Sequence, residues 1–391
     1  MSLISDAPFS LALIRFVVEY MFLLYITIVL FVVYCILILF YRAIWNSVPD
    51  FISSLATSST NISVIIAARN EEENIGNLLM SLQNQSYPRH LFEIIVVNDH
   101  STDNTFAIVK KFSDVILINL EIVDINSYKK KAIETGIAAA NGDFIITTDA
   151  DCRVPVHWLK TLASFKEEKK AVFIAAPVVF ENDESLFQIF QSLDFLTLQG
   201  ITAAAVYKKF HNMCNGANLA YERKVFYEVG GFAGIDNIAS GDDMLLMHKI
   251  SLKYPDKIFY LKSKDAIVTT QPAKSWKEFF NQRIRWASKS THYADKKIFG
   301  VLLLVYLFNL SLLALLVAGC WIHFLWLGFV CLLIVKTTIE FIFIYPVAKF
   351  FNKQKLLNLF FFFQPLHILY VVIAGWLGQS GNVEWKGRRV K

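Results

Sequence analysis

Hydrophobic and polar positions divide this chain into two kinds of segment. No acidic residue, lysine or arginine occurs from Met21 to Tyr41 or from Ile298 to Val335. A helix needs about 20 apolar residues to cross the hydrocarbon core of a bilayer, so the first segment predicts one membrane span that stays attached as an anchor. The second segment is too long for one span, and it predicts two, near 298–317 and 322–345, with a turn near Gly319.

A fourth apolar segment, Leu356–Leu377, is interrupted by Gln364 and Pro365. Proline removes a helical hydrogen bond, so we expect this segment to be kinked or re-entrant. Arg42 after the first span and the lysines before the fourth segment predict a cytosolic middle domain, because basic residues mark the cytosolic side. The basic tail, residues 381–391, contradicts this orientation if the C-terminal region crosses the membrane three times.

Two charged residues, Lys336 and Glu340, lie four positions apart inside an apolar segment. One interpretation is an ion pair on one helix face near the membrane interface. The other is a polar lining for a substrate path. The sequence leaves both open.

Between the membrane segments, short β-branched runs alternate with helical patterns. Apolar strands separated by helices predict a parallel sheet covered on both faces, with ligands bound beyond the carboxyl ends of its strands. The predicted strands are SVIIAA (63–68), EIIVVND (93–99), VILINL (115–120), DFIITTD (143–149) and AVFIAAPVV (171–179). The predicted helices are Glu72–Gln83, Thr105–Phe112 and Lys129–Ala140.

Composition agrees with two compartments in one chain. Of 391 residues, 55% are hydrophobic and 18% charged, whereas soluble domains carry about 25% charged residues. This excludes a wholly soluble enzyme, and the polar middle excludes a transporter made only of spans. The five cysteines show no disulfide or zinc spacing, which fits a reducing compartment for Cys152 and Cys214.

Polar side chains lie at the ends of three of the predicted strands. Arg69 and Asp99 lie at the ends of the first and second strands, where such residues are more often helix caps than ligands. Asp149 and Asp151 lie at the end of the fourth strand and point the same way in an extended backbone. A hard cation such as Mg²⁺ or Mn²⁺ binds one or two carboxylates together with substrate phosphates, so this pair predicts a metal site.

Two later motifs carry further candidate chemistry. Asp242 and Asp243 begin an apolar helix, either as a favourable charge at its N-terminus or as a general base. The segment WKEFFNQRIRWASK is an amphipathic helix that could lie in the membrane interface. On it, Gln282, Arg285 and Trp286 share one face and would present an amide, a guanidinium and an indole to one ligand.

These motifs, in this order between Ser63 and Trp286, resemble the inverting nucleotide-sugar glycosyltransferases of family 2. The resemblance is to the membrane-embedded branch with a QxxRW motif, near cellulose, chitin and hyaluronan synthases and ceramide glucosyltransferase-like enzymes. It implies a GT-A type, Rossmann-like mixed α/β sheet domain flanked by transmembrane helices. The organisation expected is an N-terminal anchor (1–50), a linker (51–60), a catalytic domain (61–271), an amphipathic interfacial helix (272–296), a membrane region of two to three spans (297–380) and a basic tail (381–391).

The resemblance also implies a role for each matching residue. The donor-binding residues would be Ala68, Arg69, Glu71, Asp99, Lys129, Asp149, Gln282 and Arg285. The catalytic residues would be Asp243, as general base, and Asp242, which replaces the family's glutamate. Trp286 and Gly241 would border the acceptor, and Asp151 with Asp149 would hold Mg²⁺ or Mn²⁺. Tyr128 departs from the pattern, because the family has glycine before the lysine that Lys129 matches.

The implied activity is metal-dependent, inverting hexosyl transfer from a nucleotide-diphosphate sugar, with a UDP-sugar first among the expected donors. The expected acceptor is a lipid or a membrane-held molecule. Membrane lipids are expected partners and nucleic acid is not. The expected location is a bacterial inner membrane, with the catalytic domain in the cytosol.

Three other functions remain as alternatives. A processive polysaccharide synthase needs a secretion channel, commonly built from more spans than this chain offers. A nucleotidyltransferase of similar architecture has no use for the acidic pair and the QxxRW motif. A membrane carrier or scaffold with a degenerate domain would not need the intact acidic and basic residues.

Overall fold

The structure is a computed structural model that describes most of the chain. The described residues are 7–53, 58–123, 125–238, 240–288 and 295–378, together with the short strands at 383–385 and 388–390, and side chains are described within 20–378. Parts of the predicted anchor (1–6), linker (54–57), interfacial segment (289–294) and basic tail (381–382, 386–387 and 391) lie outside the described residues.

A seven-stranded mixed sheet forms the centre of the domain between the membrane segments. Its strand order is β3-β2-β1-β4-β7-β5-β8. The strands are β1 (Ile62–Ala68), β2 (Phe92–Asn98), β3 (Val115–Asn119), β4 (Phe144–Thr147), β5 (Phe173–Ala175), β7 (Leu219–Glu222) and β8 (Ile258–Tyr260). The first four coincide with predicted strands and pair in parallel. The apolar runs of β1, β2 and β4 are buried on both faces, whereas β3 lies at the edge of the sheet and is partly exposed.

The prediction of one strand over 171–179 is wrong. The chain breaks at Ala176 and Pro177, so that β5 joins the main sheet while β6 (Val178–Phe180) pairs with β9 (Val268–Thr270) in a separate two-stranded sheet. Strand β7 was not predicted, and it lies antiparallel between β4 and β5. The sheet is therefore mixed where strand patterns alone predict a parallel one.

Helices cover both faces of the sheet. They are α2 (Ile75–Gln83), α3 (Thr105–Val109), α4 (Tyr128–Ala139), α5 (Trp158–Lys169), α6 (Leu186–Tyr207), α7 (Arg223–Glu228) and α8 (Met244–Lys253). The amphipathic helix α9 (Trp276–Ser288) follows the last strand. Its side chains Phe279 and Arg283 are buried. This helix therefore packs against the rest of the protein and is more than the interfacial helix that the sequence predicts.

Helix α6 is a feature that the sequence analysis missed. Its N-terminus carries a capping box, in which Ser185 and Gln188 satisfy each other's backbone N–H groups. The helix is long and apolar enough to cross a membrane, but 78% of its apolar 18-residue stretch is buried inside the protein. In the N-terminal helix the buried share of the corresponding stretch is 22%. A Cβ atom on Gly200 would lie 2.7 Å from Val347, so α6 packs closely against the helix that contains Val347, which is also long and apolar enough to cross a membrane.

Among the described residues, four further helices are long and apolar enough to cross a membrane: α1 (Ala7–Ser47), α10 (Lys296–Gly319), α11 (His323–Phe350) and α12 (Phe360–Leu377), the last extended by a 3₁₀ turn from Gln354. The turn predicted near Gly319 is present, since α10 ends there and α11 begins at His323. Pro365 lies inside α12. An 18-residue helix is about 27 Å long, slightly short of a bilayer core of about 30 Å.

A buried polar network joins three of these helices. Lys336 and Glu340 on α11 are 2.7 Å apart, and both are almost fully buried. The Lys336 ammonium also donates to Gln364 on α12 at 2.7 Å, and the Tyr34 hydroxyl on α1 donates to Glu340. Lys336 and Glu340 therefore form an ion pair within α11 that is buried inside the bundle, and each of them also bonds to a neighbouring helix.

Candidate functional site

The carboxyl ends of β1, β2 and β4 meet at one edge of the sheet. In the parallel register Ala68 lies beside Asn98, and Ile65 lies beside Thr147. The residues that follow these strands are therefore brought together although they are far apart in sequence. This edge is where ligands bind in open α/β sheets.

The loops after β1 and β2 hold each other in place. Arg69 donates through Nη1 to the backbone oxygens of Asp99 and His100, at 3.0 and 3.1 Å. The Asp99 carboxylate is buried and lies 3.0 Å from His100 Nδ1. Glu71 accepts a hydrogen bond from the Asn74 side chain at 2.9 Å. Arg69 thus orders the second loop, in addition to any contact that it makes with a ligand.

Lys129 lies at the centre of the acidic residues. Its Nζ is 2.7 Å from Asp149 Oδ1 and 3.3 Å from Asp242 Oδ2. Burial alone lowers the pKa of the Lys129 ammonium, but the carboxylates of Asp149, Asp242 and Asp243 outweigh it and raise the pKa above its ordinary value. Lys129 therefore carries a fixed positive charge among three carboxylates. Asp149 follows the end of β4, and Asp242 and Asp243 precede α8.

Asp243 is held by two backbone N–H groups. Its Oδ1 accepts from Met244 at 2.7 Å, which caps α8, and its Oδ2 accepts from Gly216 at 3.0 Å. Gly241 has a φ of +82°, a left-handed conformation that favours glycine and turns the chain just before the acidic pair. A carboxylate oxygen has more than one acceptor site, so Asp243 can still accept a proton.

The donor set at Asp149 and Asp151 fits a hard divalent cation. Two carboxylates supply oxygen ligands, and Mg²⁺ or Mn²⁺ would complete its shell with water and phosphate oxygens. Within the described part of the chain, no cluster of three or more His, Cys, Asp and Glu side chains could hold a metal ion. Burial, and after it the charges of Asp151 and Asp149, raise the pKa of the neighbouring Cys152 thiol.

Helix α9 brings the basic and aromatic residues to the same place. Burial lowers the pKa of Arg285 below its ordinary value, and the carboxylates of Asp242, Asp149 and Asp243 oppose that shift. An arginine side chain keeps its charge in proteins, so Arg285 is a second cation beside the acidic cluster. The Gln282 Oε1 atom is buried without a hydrogen-bond partner among the described residues.

One cavity of about 1660 Å³ connects these groups. It continues from the sheet edge between the membrane helices, where Tyr34, Tyr306 and Glu340 line it. Of the predicted site residues, it is lined by Ala68, Arg69, Glu71, Asp99, Lys129, Asp149, Asp151, Asp242, Asp243, Gln282, Arg285 and Trp286. Gly241 is the predicted residue that is not among the lining residues, and its place is in the backbone turn described above.

Sequence reasoning missed several groups in this cavity. The backbone N–H of Gly216 orients Asp243, and Asp194 on α6 pairs with Arg283 on α9 at 2.6 Å. The available signals were weak: an NGAN turn, one acidic residue in an apolar helix, and a second arginine inside the QxxRW motif. Only the fold brings Asp194 and Arg283 together.

Comparisons with known proteins agree with this architecture. Residues 63–230 match the family described as glycosyl transferase family 2. The chain is 30% identical over 234 residues to the probable glycosyltransferase YdaM of Bacillus subtilis, covering 58% of this chain and 54% of that protein. It is 26% identical over 240 residues to the poly-beta-1,6-N-acetyl-D-glucosamine synthase of Staphylococcus epidermidis, covering 58% of this chain and 53% of that protein.

The chain thus spans about half the length of these two relatives. Glycosyltransferase AglE of Haloferax volcanii is 27% identical over 237 residues, which cover 57% of this chain and 71% of AglE. The structure of mannosyltransferase PcManGT from Pyrobaculum calidifontis, in complex with GDP-Man and Mn²⁺, superposes with a TM-score of 0.57 at 18% identity, covering 92% of this chain and 99% of that one.

The superposition supports the predicted GT-A type fold, and the sequence match supports the family. A mixed sheet in which the carboxyl ends of β1, β2 and β4 carry acidic residues is present in the matched region. Residues 63–230 of this chain therefore match glycosyl transferase family 2, and the sheet domain has a GT-A type fold.

Proposed function

We propose that this protein is an inverting glycosyltransferase that moves a sugar from a nucleotide-diphosphate sugar to a hydroxyl group of a lipid or membrane-held acceptor. One observation carries the proposal. A single cavity joins the acidic cluster around Lys129 to the space between the membrane helices. A water-soluble donor and a membrane-held acceptor would meet there.

The donor would bind at the sheet edge. Asp99 would accept hydrogen bonds from the nucleoside, and Ala68 and Glu71 would border it at the end of β1. Lys129 and Arg285 would bind the diphosphate, since both are partly buried cations on the cavity wall. Gln282 would donate or accept a further hydrogen bond through its amide.

Asp151, with Asp149, would hold Mg²⁺ or Mn²⁺ against the diphosphate. A bound cation would stabilise the negative charge that develops on the leaving nucleoside diphosphate. The Lys129 Nζ atom lies 2.7 Å from Asp149 Oδ1. The Lys129 ammonium would therefore supply positive charge beside Asp149 in addition to that of the metal ion. Because Asp149 has two carboxylate oxygens, it can contact both cations.

Transfer would be a direct displacement. Asp243 would take the proton of the acceptor hydroxyl, whose oxygen forms the new bond to the anomeric carbon as the bond to the diphosphate breaks. Gly216 and Met244 keep the Asp243 carboxylate in one orientation for this step. Trp286 would border the acceptor. One displacement inverts the anomeric carbon, so an α-linked donor yields a β-glycoside.

The proposed location is a bacterial inner membrane with the catalytic domain in the cytosol, where nucleotide sugars are made. The five helices that are long and apolar enough to cross a membrane support membrane association. Their sidedness is taken from Arg42 and the lysines before α12 by the positive-inside rule.

Screening nucleotide sugars against membranes that contain the protein tests this function. We expect one donor, first of all a UDP-sugar, to release nucleoside diphosphate and to yield a glycosylated product in the lipid extract by mass spectrometry. Release of pyrophosphate would instead indicate a nucleotidyltransferase. Absence of any metal-dependent nucleotide-sugar binding would favour the carrier or scaffold alternative.

A processive polysaccharide synthase is the second candidate, because one relative is named as a polysaccharide synthase and the cavity is large. The two functions differ in the number of sugars added to one acceptor. Labelled donor at limiting enzyme would give one sugar per acceptor in single transfer and long chains in processive synthesis.

A further inference from the structure

The membrane-side part of the cavity contains a polar cluster that the donor site does not use. We define this cluster as Asp194 on α6, Arg283 on α9, and His367 and Tyr370 on α12. All four residues line the cavity. None of them belongs to the acidic cluster around Lys129. The cluster lies between a sheet-domain helix, the amphipathic helix and a membrane helix.

Arg283 is only 4% exposed, yet its hydrogen-bonding capacity is not filled. Its Nη2 lies 2.6 Å from Asp194 Oδ2. Its Nε and Nη1 are buried and have no hydrogen-bond partner among the described residues. The guanidinium is 4.8 Å from the Phe279 ring centre and 4.2 Å from that of Trp286. Buried donors without partners are rare in native proteins and call for a ligand or water.

The charges of this cluster are balanced. Asp194 forms an ion pair with Arg283 through one oxygen and accepts a hydrogen bond from the Tyr370 hydroxyl on the other. Lys336, deeper in the bundle, is likewise paired with Glu340. The cluster therefore offers hydrogen-bond donors without an excess positive charge. Such a site favours a neutral hydroxyl or carbonyl oxygen over a phosphate, because a buried phosphate needs an unpaired cation.

Apolar side chains of α10 also line this cavity. Phe299, Leu302 and Leu303 are among its lining residues, and all three are exposed. These apolar side chains would face acyl chains if α10 crosses a membrane. An amphiphile could thus enter from the bilayer with its polar end directed into the cavity.

From these observations we propose that Asp194, Arg283, His367 and Tyr370 form the acceptor head-group subsite, and that its ligand is an amphiphile with a neutral, hydroxyl-bearing head group. This inference rests on the proposed function and names the class of its acceptor. Arg283 donates through Nε and Nη1 to head-group oxygens. Trp286, which stacks on Arg283, links this subsite to the QxxRW face that borders the donor.

Native mass spectrometry of the full chain in detergent tests the subsite. The probes are dioctanoylglycerol, which is neutral, and dioctanoyl phosphatidic acid, which has the same chains and an anionic phosphate, supplied at equal concentration. We expect the protein to retain the neutral lipid in preference to the anionic one. Arg283→Met should weaken retention about tenfold, as the loss of a hydrogen-bonding charged group does.

Two variants separate recognition from folding. Arg283→Lys keeps the ion pair with Asp194 but lacks the Nε and Nη1 donors, so it should fold and still lose retention. Asp194→Asn leaves Arg283 without its carboxylate and should shift the preference toward phosphatidic acid. A purely structural ion pair would not change the preference. Arg89→Met is the matched control, because Arg89 also pairs with a carboxylate, Asp114, and lies over the Phe92 ring, outside the cavity.

Binding of UDP with Mn²⁺, measured by calorimetry on the same preparations, tests the proposed donor site separately from the head-group subsite. No UDP binding by the unmodified protein would contradict the proposed donor. UDP binding together with lipid retention that does not depend on Arg283, or with a preference for phosphatidic acid in the unmodified protein, would overturn only the head-group subsite.

Discussion

Lys129 Nζ lies 2.7 Å from Asp149 Oδ1, which joins the start of a helix to the end of a parallel strand in the middle of the cavity. The contact places a permanent positive charge beside the carboxylates proposed to bind metal. Asp242, at 3.3 Å from the same nitrogen, ties the start of α8 to this pair. Lys129 therefore links the strand end and the helix start that form the proposed donor site.

Replacing Lys129 with Met should weaken binding of UDP in the presence of Mn²⁺ by about 10- to 100-fold, because a hydrogen bond from a charged group contributes about 1.5–3 kcal/mol. Calorimetric titration measures the change. Lys131→Met is the control on the same helix, since Lys131 pairs with Glu134 at 2.6 Å outside the cavity. Unchanged UDP affinity would limit Lys129 to organising the carboxylates.

Asp243→Asn should leave UDP binding nearly intact and reduce transfer by about 10²- to 10⁴-fold, the usual contribution of a general base. Single-turnover assays with the donor found in the screen measure the rate. The control is Asp295→Asn. Asp295 also caps a helix through one oxygen, by accepting from Lys297, and accepts a distant backbone N–H, that of Asn212, through the other. Full turnover in the Asp243 variant would remove this residue from the base role.

Gly241→Ala should lower both stability and activity. A left-handed backbone costs a non-glycine residue about 1–2 kcal/mol, and relief of that strain would move the adjacent acidic pair. Gly234→Ala introduces the same strain at a φ of +81° with open space around the Cβ position. Thermal unfolding should show similar losses for both variants, whereas transfer should fall only for Gly241→Ala. Equal activities would show that the turn does not orient Asp243.

Lys336→Met should destabilise the membrane bundle by about 3–5 kcal/mol, because it leaves the Glu340 carboxylate buried without its cation. Thermal unfolding in detergent measures the loss. The double variant Lys336→Met/Glu340→Gln removes the unpaired charge and keeps an acceptor for Tyr34, so it should recover much of the stability. If the single and double variants unfold at the same temperature, the buried charge is not the cause.

His211 should make stability depend on pH. Burial lowers the pKa of His211 from 6.5 to about 4, and its Nε2 lies 2.9 Å from the Tyr41 hydroxyl. The unfolded chain binds the proton more readily, so this contribution is complete above about pH 6.5 and is lost as pH falls to about 4. A shift of this size corresponds to stability on the order of 3 kcal/mol.

Thermal unfolding at about pH 7.5 and about pH 4.5 measures this dependence. His211→Gln should show a smaller decrease on acidification than the unmodified protein. His90→Gln changes an exposed histidine and should retain the full decrease. An equal decrease in the His211 variant would assign the acid sensitivity to other groups.

The sequence was sufficient to predict those elements and candidate residues that depend on local patterns. Strands β1 to β4 follow from continuous β-branched runs, and helix α4 follows from its apolar periodicity. Spacing alone was also enough to single out Asp149, Asp243 and Arg285 as candidates. A strand end, a helix start and a helix face are local features, and each can be recognised without knowing its neighbours.

Contacts between distant segments were decided only by the tertiary structure. Pro177 splits the predicted fifth strand, but only strand pairing decides that β7 lies between β4 and β5. The apolar helix α6 is a core element because other helices cover it. The pairing of Asp194 with Arg283 likewise depends on how α6 packs against α9. Periodicity determines which face of an element is apolar, but the partner of that face depends on packing over the whole chain.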